Sequence, residues 1–483
     1  MITHTTTKLF QTAVTPSVVY LAIVSFLLPL PLTAQPIQIG SRLELFVDDY
    51  LIEDITGGAE LRQHEPAPRE VVLFTDKPWE GNTSLYYTVF QDGPRYRMYY
   101  RGSQRYATPY HEVTCYAESG DGIHWIRPEL GLFEFNGSKQ NNIVLTGLGT
   151  HNFTPFLDTN SDCAPEAKYK AVGRGLRTPD GQIGNVFKLY AFKSPDAIHW
   201  SLISDDPVFT KGRFDSQNVA FWDAVRGCYV LYFRDMRDGF RDIKTSTSDD
   251  FLNWSDPVWL DYYGAPRDHL YTNAIQRYDR APHLLIGFPT RIFPEHLFPH
   301  RPDQTEPTFM TSWDGRTFRR WPGAVIPVDA TEGRTGNRSN YISWGLLKLP
   351  HSDREYSVYA NEGYRQGMGS RLRRFTWRAD GFVSAYASTT PGRLRTKPLV
   401  FDGRQLLINF ATYAGGKLQV EIQDTQGQPL PGFTLVDSVE IRGDEIAHTV
   451  SWQAGSDVGA LANKPVRLLF ALDGVDLYSF RFE

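Results

Sequence analysis

The chain is 483 residues long, with a formal net charge of −5, 22% charged residues and 14% aromatic residues. That length exceeds what one small core accommodates and predicts a large domain plus a smaller one. The mildly acidic balance, spread along the chain without a basic footprint, excludes nucleic acid and anionic lipid as partners.

The N-terminus reads as an export signal. Lys8 precedes the apolar run "VVYLAIVSFLLPLPL" (18–32), which Pro29 and Pro31 interrupt and which is shorter than the roughly 20 residues that span a bilayer. Residues 1–34 are therefore expected to be a signal peptide cleaved after Ala34, leaving a periplasmic or secreted protein with no membrane association. Cys115, Cys163 and Cys228 are odd in number and lack CxxC spacing, so neither a disulfide framework nor a zinc site is expected. Their disulfide state stays open.

From residue 119 onward one corner recurs: "SGDGIHW" (119–125), "SPDAIHW" (194–200), "SDDFLNW" (248–254), "SWDGRTF" (312–318) and "RADGFVS" (378–384). The Asp accepts backbone hydrogen bonds, a Gly after it relieves the steric cost of a positive φ, and a final Trp or Phe plugs the space between sheets. Runs of five to eight aromatic and β-branched residues separate the corners, with no helix-period stretch after the signal. Four such strands repeated five times predict an all-β fold, a five-bladed β-propeller over residues 35–390. The segment "LELFVDDYLIED" (43–54) lacks a corner and is expected to pair with the last blade and close the ring, removing an exposed edge. From 391 to 483 the alternation of apolar and polar residues with hairpin turns predicts a C-terminal β-sandwich, read as a structural cap ahead of a carbohydrate-binding module.

In an antiparallel blade the innermost strand starts on the face where the second strand ends. First-strand starts carry Trp79 and Glu80, His151 and Asn152, Asp215 to Asn218, Asp268 and His269, and Arg338 and Asn340; second-strand ends carry Arg101, Arg174, Arg234 with Asp235, Arg291 and Glu362. Arg101, Arg174 and Arg234 each follow a leading Tyr by five residues. Arginine forks match carboxylate or sulfate groups, which favours an acidic or heavily hydroxylated sugar. Separated carboxylates around one pocket suit glycoside hydrolysis. The catalytic candidates are Glu80, Asp215, Asp235 and Glu362. The substrate-binding candidates are Trp79, Arg101, Arg174, Arg234, His269 and Arg291, with Tyr86 and Tyr271 as further stacking surfaces. No P-loop, GxSxG elbow, HExxH or GxGxxG motif is present, so competing chemistries lack support. His111, His269 and His296 are not at ligand spacing. No metal site and no cofactor are expected, with a structural divalent cation left open.

The repeated units, the opening "LFVDDYLIE" and the "DGIHW" corners resemble exported bacterial five-bladed β-propeller glycoside hydrolases, the clan of families 32 and 43. The resemblance covers residues 43–483, and the C-terminal sandwich is similar to the accessory domain of family 32. It implies three acids from different blades, acting as nucleophile or base, transition-state stabiliser and general acid. "FRDM" (233–236) resembles the clan's Arg-Asp-Pro motif, which implies the stabiliser role for Asp235, with Met236 in place of Pro. The Asn-Asp-Pro motif has only a distant echo in "VDDY" (Asp48, Asp49), and the Glu-Cys motif is missing. The expectation is an exported glycoside hydrolase acting on a poly- or oligosaccharide. A non-catalytic carbohydrate-binding propeller is the alternative and a scaffold for protein partners a third reading. Sugar, linkage, retention or inversion, and oligomeric state stay open.

Overall fold

Four of the five corners share one hydrogen-bond pattern. Asp121 Oδ1 accepts from the backbone N–H of Ile123 and His124, both at 2.8 Å; Asp196, Asp250 and Asp314 do the same two and three residues on, at 2.7–2.9 Å. A Ser two positions earlier donates to each carboxylate. The residue after each Asp is left-handed: Gly122 (φ 74°), Ala197 (70°), Phe251 (67°) and Gly315 (81°). Glycine adopts that conformation freely, whereas Ala197 and Phe251 sit there under strain. Partial burial opposes ionisation of these acids, but the converging N–H groups prevail and bring Asp250 down to about 2.

The computed structural model describes residues 35–105, 111–175, 187–297, 303–328 and 339–483, besides a few isolated positions. The expected signal peptide and Arg338 lie outside the described residues. Among them the chain is all-β, with 3₁₀ turns only at Pro165–Ala167 and Gly459–Leu461, and no helix is long and apolar enough to cross a membrane.

Five sheets follow one another. The first holds Leu85–Asp92, Arg95–Gly102, Val113–Ser119 and Ile143–Thr146; the second Thr154–Leu157, Tyr169–Arg174, Leu189–Ser194 and Ser201–Leu202. The third holds Val219–Asp223, Cys228–Arg237, Phe240–Ser248 and Val258–Trp259. The fourth has a broken inner strand (Leu270–Thr272, Gln276–Tyr278), and the fifth begins at Tyr341–Ile342 and continues through Glu355–Glu362 and Arg371–Arg378. Corners join neighbouring sheets. Tyr99, Tyr232 and Tyr359, each on the second strand of one sheet, donate to the carbonyls of Ala197, Gly315 and Gly122 in the corner of the next, at 2.7, 2.8 and 2.5 Å. The corner aromatics Trp125, Trp200 and Phe318 pack edge-on against those same tyrosines. Because Tyr359 of the fifth sheet latches the corner of the first, the series returns on itself. The first and fifth inner strands also bond directly, Val89 N to Trp344 O at 2.8 Å.

Closure comes from the N-terminal side, but by a different segment than expected. Ala67–Phe74 pairs with Arg371–Arg378 as the outer strand of the fifth sheet. The segment 43–54 belongs elsewhere: Glu44–Leu45 pairs with Arg467–Phe482, and Ile52–Gln63 pairs with Val383–Thr396. Its apolar side chains explain the correction, since Phe46, Leu51 and Ile52 are buried in the C-terminal core with Leu394, Phe470 and Phe480. The C-terminal unit is thus a six-stranded sheet drawn from both ends of the chain, plus a parallel pair, Ile37–Gly40 with Leu399–Phe401.

The fifth corner differs from the other four. Asp380 is fully buried and, instead of capping its own turn, accepts from Tyr278 Oη (2.7 Å), Arg280 Nε (2.9 Å), Asn409 Nδ2 (2.9 Å) and Ser479 Oγ (2.6 Å). It joins the fourth sheet to the C-terminal sheet.

Candidate active site

The inner strands converge, and buried amides fill the space between them. Gln217 of the third sheet reaches Tyr87 O and Thr88 Oγ1 of the first, both at 3.1 Å. This contact lies between the strand starts and the strand ends.

At the strand starts the first sheet carries a bulge. Leu85 pairs with Arg101, the register then slips, and Tyr86 takes φ 59°. A tyrosine in that region costs about 1–3 kcal/mol, and such strain clusters at functional positions. It sends Tyr86 across the mouth, where its hydroxyl donates to the Asp215 carbonyl at 3.0 Å and lies 3.4 Å from Tyr271 Oη.

Arg101 is the hub of the near side. Its guanidinium lies 4.9 Å over the Tyr86 ring, donates to Thr83 O (2.8 Å) and Tyr364 Oη (3.2 Å), and stands 3.2 Å from His151 Nδ1 and 3.8 Å from Glu112. His151 places Nδ1 2.8 Å from Glu112 Oε1 and Nε2 3.3 Å from the Asp215 carbonyl. On the far side Arg234 forms an ion pair with Asp215 and lies 5.6 Å from the Tyr271 ring. Tyr271, Tyr341 and Tyr364 continue the aromatic wall, with ring centroids 6.0 and 5.7 Å apart in succession.

Burial and charge set the protonation of this cluster. Burial outweighs the Glu112 carboxylate and, with Arg101 and Arg174 nearby, drives the His151 imidazolium down to about 3, so the ring is neutral at ordinary pH. Burial pushes the Tyr86 phenol well up. Burial also opposes ionisation of Tyr364, but the Arg101 and Arg365 guanidiniums prevail and lower it. Burial lowers Arg234, which is 5% exposed at its side chain, whereas the partner Asp215 is 49% exposed. The mouth therefore presents an accessible carboxylate held by a buried guanidinium, a neutral imidazole, an acidified phenol and an aromatic wall. These groups bind anions, stack on ring faces and move protons.

The structure brings Asp215, Arg101 and Arg234 together with Tyr86 and Tyr271, and it sets Arg174 close enough to bear on His151. Other candidates have partners elsewhere. Glu80 is fully buried between Tyr100 Oη (2.5 Å) and Arg127 Nη1 (2.8 Å). Asp235 accepts from Lys244 Nζ at 2.8 Å. Glu362, also fully buried, holds Arg371 and Arg373 at 2.9 and 3.1 Å. Among the described residues no hydrogen bond or ion pair joins any two of these four acids. Trp79 donates to Asn142 Oδ1 at 2.7 Å and packs edge-on to Phe135 within the first-sheet core. His269 stacks on Phe240 at 4.6 Å, and Arg291 pairs with Glu306 at 2.7 Å and Asp268 at 3.4 Å. Glu112, Tyr341, Tyr364 and Arg365 were not anticipated. Glu112 and Arg365 sit in loops, outside the strand-end offsets that identified Arg101 and Arg234. Among the described residues no group of three or more His, Cys, Asp and Glu is placed to hold a metal ion.

No family model matches the chain, and no curated protein matches it. Several solved structures are similar to it. The catalytic domain of Coprinopsis cinerea GH62 α-L-arabinofuranosidase is 12% identical at a TM-score of 0.44, over 66% of this chain and 98% of that one. An N-acetylgalactosamine deacetylase from F. plautii, in complex with blood group B trisaccharide, is 13% identical at 0.44, over 67% and 96%. A glycosyl hydrolase from Bacteroides ovatus is 15% identical at 0.41, over 68% and 95%. At this distance activity has to be argued from the chain's own side chains.

Proposed function

We propose that the five sheets are the blades of a five-bladed propeller, exported in the manner of families 32 and 43, and that the mouth at the strand starts hydrolyses glycosidic bonds in an acidic oligo- or polysaccharide. The observation that carries this reading is the pairing of half-exposed Asp215 with buried Arg234 beside Arg101 and Tyr364. Arg101 and Arg234 bind the sugar's carboxylate or sulfate, and Tyr271, Tyr341 and Tyr364 stack on its rings. Asp215, paired with Arg234, acts as nucleophile or base. Tyr364, acidified by Arg101 and Arg365, donates the proton to the leaving oxygen. Glu112 orients His151 at the floor.

The test is reducing-end release from a panel of uronic-acid-containing and sulfated oligosaccharides. Asp215→Asn and Tyr364→Phe are expected to lose about 10²-fold or more in rate with the fold intact. Full turnover by Asp215→Asn on a substrate that the parent cleaves would overturn the assignment. The absence of a second acid among the four candidates at the mouth favours a second reading, a non-catalytic carbohydrate-binding propeller. Saturable oligosaccharide binding with no product after long incubation would decide for it.

A further inference from the structure

A second cavity of about 410 Å³ opens at the opposite end of the inner strands, on the far side of Gln217. Each of the five sheets contributes to its wall, which includes Phe90, Phe156, Trp222, Trp344, Gln276 and Arg277. Five of its residues are aromatic, Asp279 also lines it, and Trp344 lies nearly parallel to Phe221 at 6.4 Å.

Two polar groups in this wall lack partners. Arg277 is half-buried, and among the described residues no acceptor lies within hydrogen-bonding distance of its guanidinium. The charge that bears on it is Asp223, which Arg226 already engages at 2.5 Å. Gln276 is only 7% exposed. Its Oε1 accepts from Leu346 N at 2.8 Å, while its buried Nε2 donates to nothing. A buried donor without an acceptor is costly, and Gln276 and Arg277 line the same cavity. A carboxylate suits both side chains, since a guanidinium fork takes it in bidentate geometry and an amide N–H adds a further bond.

We propose that this cavity is a binding site for a small ligand bearing a carboxylate on a six-membered ring, the carboxylate held by Arg277 and Gln276 Nε2 and a face of the ring laid against the aromatic residues of the wall. A uronic acid and an aromatic acid share that chemistry, and either fits the volume. The site stands apart from the mouth that holds Asp215, so its test is independent of the proposed hydrolysis.

The experiment is calorimetric titration of the full chain with glucuronate, benzoate and glucose. It compares the parent with Arg277→Gln, Arg277→Lys and Asp215→Asn, with thermal unfolding as the check on folding. One of the two acids is expected to bind saturably and glucose is not, and which acid binds identifies the ring. Arg277→Gln should weaken binding about tenfold or more, and Arg277→Lys should weaken it less. Failure of both acids to saturate below about 10 mM, or equal affinity in Arg277→Gln, overturns the proposal. Loss of binding in Asp215→Asn with retention in Arg277→Gln assigns the acid to the other mouth and overturns it equally.

Discussion

Replacing Arg234 by Met separates the two things a buried guanidinium at the mouth does, which are to hold the fold and to hold an anion. For stability the terms nearly cancel. The ion pair to Asp215 has one half-exposed member, so solvent screens it to about 0–1 kcal/mol. The cation over Tyr271 at 5.6 Å adds about 0.5–1 kcal/mol. Against these, burial lowers the Arg234 pKa, which means that desolvating the charge outweighs its compensation, and the buried Nε has no acceptor, a further cost of about 1–3 kcal/mol. Met keeps the apolar stem, and Asp215 is exposed enough to hydrate. Arg234→Met should therefore change the unfolding free energy by no more than about 1 kcal/mol, read from urea midpoints at neutral pH. If the mouth binds an acidic oligosaccharide as proposed, that binding loses a charge-assisted hydrogen bond worth about 1.5–3 kcal/mol, which is a weakening of about 10- to 150-fold. A neutral oligosaccharide of the same length should be little affected. A stability loss above about 3 kcal/mol, or an unchanged affinity for the acidic ligand, would show that Arg234 is a structural strut and refute the reasoning.

Glu80→Gln tests the opposite assignment: it breaks a buried pair with Arg127, which keeps Asp76 at 3.1 Å, so the melting temperature should fall by the equivalent of about 1–3 kcal/mol while turnover and oligosaccharide affinity stay as in the parent. For His151 the folded pKa of about 3 lies below the ordinary 6.5. Between those values the unfolded chain binds a proton that the folded chain does not, so stability rises with pH across the window and is lost as pH falls through it. His151→Gln should flatten that acid limb in urea midpoints measured from pH 7 to pH 3. At the corners, Ala197→Gly relieves a positive φ of 70° and should stabilise by about 0.5 kcal/mol after the loss of one buried methyl. Gly122→Ala, whose Cβ would sit 2.4 Å from Leu349 Cδ2, should destabilise by about 1–3 kcal/mol, both read by thermal unfolding.

The corners were legible because their chemistry is local: a Ser, an Asp and two backbone N–H groups within six residues determine them. The mouth was legible to the extent that strand register determines it, which is why Arg101, Arg234 and Asp215 meet there. Register also explains which candidates lie apart from it. Arg234 and Asp235 are adjacent on one strand and so point to opposite faces of the sheet; the first turns to Tyr271, the second to Lys244. Glu80 lies just before its strand, in a turn where Glu80 N bonds Lys77 O at 2.9 Å, and that turn sends the carboxylate into the sheet instead of over the mouth. Glu112 depends on the path of a loop, which no offset from a leading Tyr encodes.

The fifth corner matches the others in sequence at the Asp. The surroundings differ, because Asp380 is followed immediately by a strand that leaves the fifth sheet for the C-terminal sheet, Val383–Thr396. That strand pairs with Ile52–Gln63, and the chain after Gln63 runs directly into Ala67–Phe74, the strand that completes the fifth sheet. The C-terminal sheet thus fixes the position of the closing strand from the outside. Asp380 reinforces the junction by binding Tyr278 and Arg280 of the fourth sheet and Asn409 and Ser479 of the C-terminal sheet. The mouth needs this rigidity: Tyr86 holds a strained φ only while neighbouring sheets over-determine it, and its hydrogen bond to Asp215 spans from the first sheet to the third. Whatever loosens the C-terminal sheet should therefore release Tyr86 from Asp215 before the individual sheets unravel.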